Sequence, residues 1–464
     1  MEEQMEYDVT FFQQAFKKHR EEFLQDYKDL LRFQTISTDA KYETELAKAR
    51  VFLIDYFKNI QFSVEEWETD GHAAIFAQNL SAGKDKPTVL LYGHYDVQPV
   101  DPIDEWLSDP FEPIEKNGKI YARGALDNKG QLALMLSALK FMMTEFGELG
   151  VNVKMIIEGE EEMGSPNTIA ILESRKEALK CDALLVVDLD LVSEDVPCIT
   201  LGLRGLCALN VECIGSKIDL HSGMHGGMVF NPIHGLVELL STLRDPKSGK
   251  ILVEGFYEGV SEPSEKEKAM LDLQFDEKEY EKMFDAKAVG GEIAFPPAIR
   301  NWLRPTIEVN GIYGGYTGPG IKTVIPAKAY AKISCRLIDG QDPKKVQQQI
   351  QTHLEKHAPR GITVNVELQD AVEGVRANAD APILKTVSES LEEVFKNPCK
   401  YVMSGGTVGI TKALQKASSG DVVMMGFGLP EDNIHAPNES FALSRFEKGF
   451  LTIVRILQKL GQKT

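Results

Sequence analysis

The stretch Thr88-Val89-Leu90-Leu91-Tyr92 carries no charge and runs straight into Gly93-His94-Tyr95-Asp96. An uninterrupted apolar run of that length suits a strand buried on both faces, the kind found inside parallel sheets. Strand candidates also lie at 151–157, 183–187 and 422–426. Helical spacing separates them. Phe12, Phe16, Phe23, Tyr27, Leu30 and Leu31 recur through 8–31. Leu132, Met135, Leu136, Leu139, Met142 and Met143 predict an amphipathic helix starting near Lys129-Gly130. A last helix carries Phe450, Ile453, Val454, Leu457 and Leu460. This alternation predicts an α/β fold with a mainly parallel sheet and helices on both faces.

The middle of the chain has a different rhythm. Strand-like 207–214, helix-like 232–243, strand-like 306–310 and 329–337, helix-like 343–357 and strand-like 362–368 give the order β-α-β-β-α-β. That is the ferredoxin-like split βαβ arrangement. At 464 residues the chain is long enough for two or three domains. The expected division is a catalytic domain at 1–203 and 378–464, interrupted by a smaller α+β domain at 204–377. The Glu- and Lys-rich stretch 245–300 reads as a solvated helical surface segment.

In open α/β sheets, sites form beyond the carboxyl ends of strands. His94 and Asp96 follow one strand candidate, Glu161-Glu162 a second and Asp188 a third, while His435 comes nine residues after Gly426. Asp127 sits just before the predicted helix. Mixed imidazole and carboxylate donors suit one or two borderline divalent cations, Zn²⁺ first and Mn²⁺ second. Two cations side by side need a bridging anion, which Asp127 can supply, and such a pair can activate a water and polarise a carbonyl. Asp96, two residues from His94, can accept the second ring N–H of that histidine. Of the adjacent Glu161 and Glu162, one can bind a cation while the other serves as general base.

A net charge of −19 argues against nucleic acid and anionic membranes as partners. No apolar run nears the ~20 residues of a membrane span. Residues 1–6 are acidic and do not read as a secretory signal. Six scattered cysteines, none in a Cys-x-x-Cys pair, read as reduced thiols of a cytoplasmic protein.

Taken in order, these residues resemble the co-catalytic zinc peptidases of the carnosinase and cytosolic nonspecific dipeptidase type, with aminoacylase and glutamate carboxypeptidase relatives. The landmarks are Gly93-His94-Tyr95-Asp96-Val97-Gln98-Pro99, residues 106–113, Ala122-Arg123-Gly124-Ala125-Leu126-Asp127-Asn128-Lys129-Gly130 and residues 158–165. Asp219-Leu220-His221-Ser222-Gly223, Thr323-Val324-Ile325-Pro326 and Ile434-His435-Ala436-Pro437-Asn438-Glu439 complete them, so the resemblance spans nearly the whole chain.

The resemblance implies two divalent cations per subunit, Zn²⁺ before Mn²⁺ or Co²⁺. His94, Asp127 and Asp188 hold one, and Asp127, Glu162 and His435 the other. It implies Glu161 as general base, Asp96 as the partner of His94, and a cis peptide bond after Asp127. It further implies that the inserted domain is a lid and the surface of a homodimer. There His221 reaches the neighbouring subunit's site and stabilises the oxyanion, and Arg336 clamps the substrate carboxylate, with Thr323 and Thr407 as further substrate contacts. The residues themselves support Arg336 only so far as placing it on the polar phase of its strand, and a guanidinium does suit a carboxylate.

One departure stands out. The family's loop often reads Arg-Glu-Gly-Gly-Ser, whereas this chain has Met403-Ser404-Gly405-Gly406-Thr407. The expected activity is metal-dependent hydrolysis of dipeptides. The altered loop keeps an N-acyl amino acid deacylase or a metallocarboxypeptidase open as the alternative.

Overall fold

The computed structural model describes residues 7–262 and 264–462. The acidic segment 1–6 lies outside the described residues. The chain forms two compact units. One comprises the chain up to Leu201, Ala377–Val402 and the chain from Val408 onward; the other comprises Gly202–Arg376 with Met403–Thr407.

The heart of the first unit is a run of four parallel strands, in the order Asn152–Glu158, Thr88–His94, Ala183–Asp190 and Asp421–Gly428. Every residue of Val89–His94 and of Asn152–Glu158 is buried, which is why the apolar runs lack polar alternation. Antiparallel strands finish the sheet. Ser63–Trp67 and Ala74–Asn79 extend one side, and Cys198–Leu203 pairs with Asp421–Gly428 on the other.

Helix Val9–Arg32 buries Phe12, Phe16, Phe23, Tyr27, Leu30 and Leu31 on one face. Its Asp8 cap accepts a hydrogen bond from the Phe11 N–H at 2.9 Å. Helix Lys129–Phe146 departs from the amphipathic expectation. It packs against Val9–Arg32, Leu443–Gln462 and the Thr88–His94 strand, so even Lys129, Gln131 and Ser137 are buried. A helix enclosed by two helices and a sheet has no solvated side to mark with charge. Gly147, at φ 73°, ends it in the left-handed cap that glycine adopts without strain.

The second unit is a four-stranded antiparallel sheet in the order Thr306–Gly314, Lys328–Leu337, Gly205–Ile214, Thr363–Val372. Strict alternation of buried and less buried residues along the two central strands leaves one face for a core. That face is sealed by Leu236 and Leu239 of helix Pro232–Thr242 and by Val346, Ile350 and Leu354 of helix Pro343–Lys356. The order β-α-β-β-α-β therefore holds. The stretch 245–300 is less helical than expected. Among its described residues only Glu265–Met270, Glu277–Phe284 and Pro297–Leu303 are helical, and left-handed glycines such as Gly249, Gly255 and Gly259 turn the chain ahead of them.

All six cysteines are free. No described helix is long and apolar enough to cross a membrane.

Candidate metal centre

Because the four central strands are parallel, their carboxyl ends share one edge of the sheet, and each delivers a polar side chain there. His94 is the last residue of its strand, in register with Glu158. Three residues beyond Glu158, the turn Glu161–Met163 begins and presents Glu161 and Glu162. Asp188 lies near the end of Ala183–Asp190. His435 follows Asp421–Gly428 by way of the turn Pro430–Asp432. That loop bends sharply at Asn433, His435 and Asn438, all with φ near +60°. It is anchored by a buried ion pair between Asp432 and Arg445.

Two groups of donor atoms result, each gathered within 4.8 Å: His94, Asp127, Asp188 and Asp127, Glu162, His435. Asp127 belongs to both. Its Oδ1 lies 3.2 Å from His94 Nε2 and its Oδ2 lies 2.9 Å from His435 Nε2. Within the groups, His94 Nε2 is 3.8 Å from Asp188 Oδ1, and His435 Nε2 is 3.3 Å from Glu162 Oε2. These are the sets that the sequence resemblance implies.

The electrostatics show what the cluster lacks. Burial pushes Asp188 up to about 6 and holds the Glu161 and Glu162 carboxyls above their usual range, with neighbouring carboxylates adding to the effect. Burial also opposes ionisation of Asp127, but hydrogen bonds from His435 and His94 outweigh it and keep that carboxyl below its usual range. Asp127 first and Glu162 next raise His435 to about 10. Among the described residues, no lysine or arginine pairs with any of these four acids. Four carboxylates and two imidazoles without a fixed counter-charge make a donor set suited to divalent cations.

Buried groups hold these donors in place. Asp96 is fully buried and stands 3.3 Å from His94 Nδ1. It also accepts the backbone N–H groups of Glu161 (3.2 Å) and Glu162 (3.1 Å) and the Ser37 hydroxyl (2.8 Å). One carboxylate thus orients a histidine and the turn bearing both glutamates.

Glu439 plays a comparable part for Asp127. It accepts the N–H groups of Gly124, Leu126 and Asp127 at 2.8–3.0 Å, while Arg123 neutralises it at 2.8 Å. Asn128 donates to Asp188 and to the Val187 carbonyl, and Gln98 donates to Glu162 at 2.8 Å. The Asp127–Asn128 peptide bond is cis. Ser37, Asn128 and the role of Glu439 escaped the sequence reading. Glu439 lay within a quoted landmark, four residues after His435, and that was its only signal.

The remaining expected residues lie in the second unit, in two places. His221 and Thr323 share a short antiparallel ribbon, Leu220–His221 against Val324–Ile325, and the Ser222 N–H donates to the Thr323 carbonyl at 3.0 Å. The Gly223 N–H donates to His221 Nδ1 at 3.0 Å, so the neutral ring carries its proton on Nε2 as a donor. Arg336 is half-buried on the sheet face opposite the core, as the alternation predicts, and donates to Thr407 Oγ1 at 3.0 Å.

A parallel α/β sheet that gathers such donors at its carboxyl edge defines a hydrolase of the metallopeptidase class. The chain belongs to the group described as Peptidase family M20/M25/M40, whose sequence profile matches residues 90–459. It is 31% identical over 439 residues to the Beta-Ala-His dipeptidase of Rattus norvegicus, covering 91% of this chain and 89% of that one. The solved structure of the dipeptidase Dug1p from Saccharomyces cerevisiae is similar with a TM-score of 0.79 at 25% identity, covering 98% and 99% of the two chains. That of the metallo-carboxypeptidase Sso-CP2 from Sulfolobus solfataricus is similar with a TM-score of 0.81 at 32% identity, covering 95% and 99%.

Proposed function

We propose that this chain is a metallodipeptidase that uses two carboxylate-bridged divalent cations and Glu161 as general base. The observation that carries the reading is Asp127, which offers one oxygen to each of two donor groups. His94, Asp127 and Asp188 would hold one cation and Asp127, Glu162 and His435 the other, with Zn²⁺ preferred over Mn²⁺ or Co²⁺. When bound, such a pair polarises the scissile carbonyl and makes a water acidic.

The chain's own groups do the rest. Glu161 accepts the water proton and passes it to the leaving amine; no described residue hydrogen-bonds its carboxylate, which leaves it available. Asp96 keeps His94 Nε2 turned toward the centre. His221 reaches the neighbouring subunit's site and donates its Nε2–H there to the carbonyl oxygen as that atom gains charge. Arg336 takes the free carboxylate, with Thr323 and Thr407 as further contacts. The inserted unit acts as lid and homodimer surface. Free thiols and an acidic chain support a cytoplasmic setting.

The dipeptide class is carried over from the rat and yeast relatives. Hydrolysis of free dipeptides by cation-loaded protein, set against N-acetyl amino acids and longer peptides, tests it. Dipeptides should be cleaved fastest, and chelator should abolish the reaction. Preference for blocked amino ends or for longer peptides would overturn the reading in favour of a deacylase or carboxypeptidase. Glu161→Gln should keep its cations by elemental analysis and lose roughly 10²–10⁴-fold in turnover.

A further inference from the structure

Arg204 joins the strand Cys198–Leu203 to Gly205–Ile214 and belongs, like Arg336, to the second unit. Only 9% of it is exposed. Its Nη2 donates to Asn301 Oδ1 at 3.2 Å, and its Nε is sealed without an acceptor. Among the described residues, no carboxylate pairs with the guanidinium of Arg204 or with that of Arg336.

The two arginines meet through one loop. Arg336 donates to Thr407 Oγ1, and that hydroxyl donates to the Arg204 carbonyl at 2.6 Å. The Arg204 N–H donates to the Gly406 carbonyl at 3.2 Å. Burial, and next the charge of Arg336, pull Arg204 down to about 10, while Glu308 only partly offsets them. A buried cation that repels a neighbouring cation and has no counter-ion is a costly arrangement, and a bound anion relieves it. In this loop an added Cβ at Gly405 would stand 2.8 Å from Arg204 Nη2.

We propose that Arg204 and Arg336 together form a dicarboxylate subsite, so that the preferred dipeptides end in aspartate or glutamate. Arg336 takes the α-carboxylate, and Arg204 takes the side-chain carboxylate of the same residue. This rests on the dipeptidase reading and adds to it the class of the C-terminal residue. Asn301 holds the Arg204 fork in place, and Gly405, having no Cβ, lets the loop backbone pass close to Arg204 Nη2.

Steady-state kinetics on two isosteric pairs, Ala-Glu against Ala-Gln and Ala-Asp against Ala-Asn, test the subsite. The acidic member should win by at least about tenfold in kcat/KM, chiefly through KM, because a charge-assisted contact replaces a neutral one. High ionic strength should shrink the margin. Arg204→Gln should bring the ratio near one, and Arg204→Lys should restore part of it. Gly405→Asp removes no buried group and supplies a carboxylate of the protein's own beside Arg204, so it too should level the ratio. A wild-type ratio at or below one overturns the subsite while leaving the dipeptidase reading intact, as does an unchanged ratio in folded Gly405→Asp protein. Failure to cleave any of the four dipeptides overturns both.

Discussion

At the scale of single residues, Asp96 does more than support one histidine. It meets His94 Nδ1 and two consecutive backbone N–H groups, so its loss should loosen both donor groups together. Asp96→Asn should weaken cation affinity by about 10–100-fold, read by competition with a chromogenic chelator. Glu158 offers a test of pH dependence. Its carboxyl is fully buried, accepts the hydroxyls of Tyr92 and Ser165 at 2.8 Å, and is pushed up to about 7 by that burial. Between 4.5 and 7 the folded protein holds a proton that the unfolded chain has released, so folding takes up a proton and stability falls as pH rises through that window. Glu158→Gln removes the effect, so its stability relative to wild type should grow from pH 5 to pH 8 by up to about 3 kcal/mol, measured by denaturant titration. Donors of this centre stood out in the sequence because His94 and Asp188 adjoin apolar strand runs, Glu161, Glu162 and His435 follow such runs, and Asp127 precedes a periodic helix. Ser37, Gln98 and Asn128 were not, because a polar residue buried by tertiary contact carries no local pattern.

At the scale of elements, the parallel core was legible where burial on both faces kept the strands apolar. Ser63–Trp67 passed unread, since an edge strand with a single buried residue carries little apolar signal; Ala74–Asn79 passed unread although it is buried almost throughout. Helix Lys129–Phe146 was found by its spacing, yet its enclosure was not, because three neighbours distant in sequence create it. The join between Ala183–Asp190 and Asp421–Gly428 is irregular at Met425 and Gly426. An added Cβ at Gly426 would fall 1.6 Å from the Leu189 carbonyl oxygen. Gly426→Ala should therefore push apart the strand that carries Asp188, costing about 1–3 kcal/mol and lowering cation affinity, as followed by calorimetric titration.

At the scale of the whole molecule, both donor groups lie in the first unit. A ligand stabilises only what folds to bind it. Removing cations with a chelator should lower the melting of the first unit by a few degrees and leave the second in place. Trp302 is the lone tryptophan of the second unit, so a Trp67→Phe/Trp106→Phe protein reports that unit by fluorescence. Equal movement of its transition would mean that the two units melt as one. No local pattern in the sequence marks Met403–Thr407, a five-residue segment grouped with the second unit through contacts such as Thr407 with Arg204. The order of the donors also bears on biosynthesis. His94, Asp127, Glu162 and Asp188 all leave the ribosome ahead of the inserted unit, and His435 long after it. A nascent or prematurely terminated polypeptide can therefore complete only one of the two donor groups, and on the proposed reading hydrolytic competence arrives late in translation.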